Sequence, residues 1–151
     1  MDIRIKSYLF RLYVGALGFF VVNKLIIRPV TSDASVPRWL EVLIYSSPNL
    51  VEAVVGMTTV AVLLLLGRRR VGRGWSWASD SVIYGLSALL AGSYVLSQEF
   101  KLHDLGGRNV FDPLDAVASA VGVVAMWGLF LRYGVLVETS GRQSAPPDVG
   151  S

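Results

Sequence analysis

The chain has 151 residues, of which 53% are hydrophobic and only 17% charged, and its mean hydropathy is +0.54. A soluble domain carries about 25% charged residues, so the composition argues against a soluble enzyme or a disordered chain and predicts an all-α polytopic membrane protein. The lack of cysteine excludes disulfides, thiolate metal sites and a Cys nucleophile, and the single His103 cannot build a zinc site or a proton relay by itself.

A helix needs roughly 20 mostly apolar residues to cross a hydrocarbon core about 30 Å thick. Four stretches meet that length, at about 8–27, 49–66, 81–98 and 114–137. The first has a clean apolar centre from Leu12 to Val22, with Arg11 and Lys24 near its ends, where long basic side chains can reach the headgroups. Arg4 and Lys6 ahead of it resemble the start of a signal peptide. However, Asn23, Lys24 and further apolar residues follow Val22 in place of a small-residue cleavage site, so the segment is expected to stay as an anchor. In the loop from about Arg28 to Pro48, Pro37 suits the first turn of a helix, and Trp39, Leu40, Leu43 and Ile44 share one side. This predicts a short amphipathic helix lying on the interface. The Ser47-Pro48-Asn49 sequence is expected to break the chain before the second span.

The second span is interrupted by Glu52 near its start and by Thr58 and Thr59. After it comes the basic run Arg68, Arg69, Arg70 and Arg73, flanked by Trp75 and Trp77. Such a cluster reads as a topology determinant with interfacial anchors, attracting anionic lipid without a specific site; no nucleic-acid partner is expected. Asp80 is expected to cap the third span, and Asp112 the fourth, with Pro113 at its first helical position. Residues 1–139 form one transmembrane domain in this reading, and 140–151, rich in Ser, Pro and Gly, a disordered tail.

Orientation follows from Lys and Arg in the short loops. Arg4, Lys6, Arg11, Arg68, Arg69, Arg70, Arg73, Arg132 and Arg142 flank one side; Lys24, Arg28, Arg38, Lys101 and Arg108 flank the other. The excess predicts both termini in the cytoplasm.

In lipid, small residues mark the faces where helices approach closely. Ser81, Gly85, Ala88 and Gly92 form a stripe on the third span that extends to Glu99. On the fourth span Ala118, Gly122 and Ala125 continue from Asp115, and the second carries Glu52, Gly56 and Thr59. Three carboxylates thus top three helix faces at the predicted outer end. An ionised carboxylate there must face protein, water or a partner. Arg108, Lys101, Lys24 and Arg28 are the candidate cations, with Arg108 preferred for its planar fork, and Gln98 and Asn109 could add polar contacts. The expected polar site is therefore Glu52, Gln98, Glu99, Arg108 and Asp115. A salt-bridged plug that sets helix register is the alternative use of the same groups. No zincin, phosphate-loop or serine-elbow motif occurs, and no cofactor or resident metal is expected.

Gln98-Glu99, the run Gly107-Arg108-Asn109-Val110-Phe111-Asp112-Pro113-Leu114-Asp115, and Gly122 resemble the VanZ-like family of small membrane proteins. Ser119 stands where that family usually has Asn. The family is associated with low-level glycopeptide resistance, so the resemblance implies an envelope role in the bacterial cytoplasmic membrane without supplying a reaction. Three functions compete: binding of an envelope lipid headgroup or similar polar ligand, an accessory subunit packed against other membrane proteins, and an intramembrane enzyme using Glu99 or Asp115 as acid or base.

Overall fold

The computed structural model describes residues 2–32, 35–75, 77–99 and 113–139, nearly all of them helical. A short strand β1 (Asp2–Ile5) leads into α1 (Ser7–Val22), which continues through a π-helical turn, Asn23–Ile27, into α2 (Arg28–Ser32). The 34-residue α3 (Arg38–Val71) follows, then a 3-10 turn at Gly72–Trp75, α4 (Asp80–Glu99), α5 (Pro113–Tyr133) and strand β2 (Leu136–Thr139). Four helical stretches, Ser7–Ser32, Arg38–Val71, Asp80–Gln98 and Pro113–Tyr133, are long and apolar enough to cross a membrane. The protein is an all-α polytopic membrane protein.

The expected interfacial helix is present as helix but not as a separate element. It is the first part of α3, which runs through Pro48 without a break. At about 1.5 Å per residue α3 is some 51 Å long, well beyond the hydrocarbon core, so the chain need not stop for an interfacial piece to exist. The expectation that Ser47-Pro48-Asn49 ends a helix is overturned, for a reason that lies in the neighbouring helix and is described below.

α3 is the central helix, and α1, α4 and α5 each pack against it. Leu9, Met57, Ala61, Leu65, Ile83, Met126 and Phe130 form the body of the core. Gly122 marks the tightest approach: a Cβ there would lie 2.9 Å from the Leu50 carbonyl oxygen and 3.0 Å from the Ala53 Cβ. Gly56, Gly85 and Gly92 have open space where a Cβ would stand. The buried stripe of α4 is Ile83, Tyr84, Ser87, Ala91 and Val95, beside the small-residue stripe and not on it. On α5 the buried stripe is Ser119, Gly122, Met126 and Phe130, and Asp115 lies one turn before Ser119 on the same face.

At one end of the bundle β1 pairs antiparallel with β2, in the register Asp2↔Thr139, Ile3↔Glu138, Arg4↔Val137 and Ile5↔Leu136. The fourth span therefore ends at Tyr133, short of the expected 137. Gly134 adopts φ 68° and donates its N–H to the Phe130 carbonyl at 2.8 Å, a left-handed helix stop that costs glycine little. Tyr8 donates its hydroxyl to the Gly134 carbonyl at 2.7 Å, the Lys6 ammonium donates to the Tyr133 carbonyl, and Val135 N–H donates to the Tyr84 hydroxyl at 3.2 Å. At the same end Arg68 pairs with Asp80 and donates to the Ala78 carbonyl, closing the α3–α4 turn. Asp80 is thus an ion-pair partner and not the expected cap. Ser79 Oγ accepts from Val82 N–H at 3.4 Å and takes that place.

Candidate functional site

The opposite end of the bundle holds a polar centre built around Pro48. A proline inside a helix has no N–H for the carbonyl four residues back and crowds that carbonyl with its ring, a loss of about 3 kcal/mol. For Pro48 that carbonyl is Ile44. Here it is not left bare. Asn23 Nδ2 donates to it at 3.1 Å and also to Ser47 Oγ at 2.7 Å, and the Ser47 hydroxyl donates to the same carbonyl at 3.0 Å. A side chain from the first span thus supplies the donor that proline removed from the second. That is why α3 continues through Pro48.

Asn23 opens the π-helical turn, which closes with the Arg28 N–H donating to the Asn23 carbonyl, immediately before Pro29. A π turn inserts an extra residue and re-aims the side chains around it. On the far side of the turn, Arg28 donates Nη2 to the Tyr45 carbonyl at 2.7 Å, and its guanidinium carbon lies 4.9 Å from the centre of the Tyr45 ring. A cation over an aromatic face adds electrostatic attraction to the hydrogen bond. The Lys24 ammonium sits 5.8 Å from the centre of the Phe20 ring.

Two atoms in this centre lack partners among the described residues. Asn23 is 1% exposed, yet its Oδ1 accepts no hydrogen bond among the described residues, and the buried Arg28 Nε donates none. Buried polar atoms are paired in the great majority of cases, with protein or with water. An acceptor and a donor left open in one polar cluster are a place for a polar guest.

Of the residues expected to form the site, three are described with their side chains. Gln98 at the end of α4 and Asp115 at the start of α5 are both half-buried at this end of the bundle. Glu52 is at the same end but exposed. With 3.6 residues per turn, Glu52 stands roughly a third of a turn from the Leu50–Ala53 face that meets Gly122 of α5. It therefore stands off the face of α3 that meets α5 at Gly122. The side chain of Glu99 and the whole of Arg108 lie outside the described residues, as do Lys101, His103, Asn109, Asp112 and the 140–151 tail. Among the described residues no group of three His, Cys, Asp or Glu side chains could hold a metal ion. Ser119 is 2% exposed with no partner for its Oγ among the described residues, and it lines a cavity of about 190 Å³ with Gly92, Val95, Leu96 and Val123 between α4 and α5.

Sequence reasoning passed over Asn23, Tyr45 and Ser47 and used Pro48 only as a breaker. The signal was there: a carboxamide in an apolar run and a proline in an amphipathic helix each demand a partner, and each is the other's answer. Comparison of the chain with protein-family models, curated proteins and solved structures returns no match.

Proposed function

We propose that this protein binds the polar headgroup of an envelope lipid at the kink end of its bundle, with that end facing outward from the bacterial cytoplasmic membrane. The observation that carries the reading is the polar centre around Pro48. Asn23 Oδ1 and Arg28 Nε are buried and unpartnered among the described residues, toward the end of the first apolar stretch, and this supports a polar guest there. Lys24 and Glu52 on the first two spans, and Gln98 and Asp115 at the same end of α4 and α5, add polar groups to this end of the bundle. Polar groups within a span are costly to keep without a use. The excess of Lys and Arg at the ribbon end and the resemblance to VanZ-like proteins support the outward orientation and the envelope setting. Native mass spectrometry of protein extracted gently from its own membrane tests the reading. Lipid retained on the folded monomer is the expected result. A folded monomer stripped of all lipid would sink the proposal.

A second reading, a subunit of a larger membrane complex, is favoured by the packing of α1. Only 6% of the apolar window of Ser7–Ser32 is buried, against 39% for α3, and a groove of about 310 Å³ lined by Leu9, Phe10, Tyr13 and Val62 opens between the two. A partner helix would fill it. Stoichiometric protein carried through the same extraction would favour this reading.

A further inference from the structure

The charged groups at the kink end are not held in the same way. Lys24 stands over the Phe20 ring at 5.8 Å, and Glu52 is exposed on α3. Arg28 faces no carboxylate among the described residues: its Nη2 is held by the Tyr45 carbonyl, its plane lies over the Tyr45 ring, and its Nε is buried without a hydrogen-bond acceptor. Among the described residues the guanidinium is thus fixed in place by neutral groups, with no carboxylate against it. It is half-exposed and lies near the end of the Ser7–Ser32 stretch, which is long and apolar enough to cross a membrane; the end of a crossing helix is where lipid headgroups are met. A planar fork of donors matches the oxygens of a phosphate through two parallel hydrogen bonds, and an arginine already immobilised loses little entropy in making them.

From this we infer that Arg28 is the anchor of a binding site for the phosphate of an anionic membrane lipid. Tyr45 and the kinked turn of α3 hold it in position. The inference rests on the headgroup-binding reading and narrows it to one chemical class. Asn23 is a positioning residue, since its amide secures the Ile44 carbonyl and with it the turn that carries Tyr45.

The test incubates the full-length protein in detergent with an equimolar mixture of phosphatidylglycerol, phosphatidylcholine and a neutral glycosyl diacylglycerol of matched chains, and reads bound lipid by native mass spectrometry. Phosphatidylglycerol is expected to be retained first and the glycolipid last. Arg28→Gln should reduce phosphatidylglycerol retention by roughly tenfold, the size expected for a lost charge-assisted hydrogen bond. Arg28→Lys, which keeps the charge and loses the fork, should fall between and covers the case in which the glutamine variant does not fold. Arg70→Gln, an exposed arginine at the ribbon end, should leave the order unchanged. Equal retention of all three lipids, a preference untouched by both Arg28 variants, or displacement of the lipid by inorganic phosphate overturns the inference. Preferred retention of the glycolipid would overturn it while leaving headgroup binding intact, and retention of no lipid would end both.

Discussion

Gly122 shows how much one hydrogen atom can decide. Its Cα hydrogen faces a backbone oxygen of α3, so any side chain must push two helices apart. Gly122→Ala is therefore expected to lower stability by about 1–3 kcal/mol, the usual cost of overpacking, read as a lower melting temperature in detergent. Gly85→Ala, with open space for its methyl and a better helix former in place of glycine, should leave the melting temperature unchanged or raise it. The small-residue pattern in the sequence marks both glycines alike. Only the position of the Leu50 carbonyl separates them, because a helix's own periodicity does not say which side its neighbour will take.

Among elements, the joint between the π turn of the first span and the Pro48 kink of α3 is the unit most open to measurement. If Asn23 substitutes for the missing proline N–H, the two sites must be energetically coupled. Asn23→Ala alone should destabilise the protein by roughly 1–2 kcal/mol, in the upper range for hydrogen bonds inside membranes. In a Pro48→Ala background the alanine N–H can bond to the Ile44 carbonyl, and the same Asn23→Ala change should cost markedly less. Additive effects in the double-mutant cycle would show that the amide and the kink are independent. The same joint explains why the sequence-derived break at Ser47-Pro48-Asn49 fails. Proline's effect on a helix is local, but its remedy comes from residue 23, outside any window used to read residues 44–48.

At the scale of the whole molecule, the β1–β2 ribbon joins residues 2–5 to residues 136–139 and brings both ends of the four-span chain to one side of the bundle. An even number of spans requires that arrangement, and the ribbon fixes it chemically. Because the chain has no native cysteine, the pairing can be checked cleanly. Arg4 and Val137 are opposite each other and both exposed, and directly opposed strand residues lie about 4.5–5.5 Å apart at Cα, within disulfide reach. Arg4→Cys combined with Val137→Cys should give an intramolecular disulfide on mild oxidation, seen as a reducible mobility shift. A Cys pair that stays reduced under the same conditions would contradict the register.

What this chain's residues determine by themselves is its solvent: low charge and four apolar runs specify four membrane-crossing helices, because transfer into hydrocarbon depends on the composition of each segment alone. They also show that polar residues collect toward one end, with Glu52, Gln98 and Asp115 among them. Which polar groups meet was decided by the tertiary structure. Asn23 goes to the Ile44 carbonyl and Arg28 to the Tyr45 carbonyl and ring. The physical reason is that hydropathy is a sum over neighbours in the chain, whereas a hydrogen bond or ion pair depends on the rotation and depth of one helix against another, and those are set by packing.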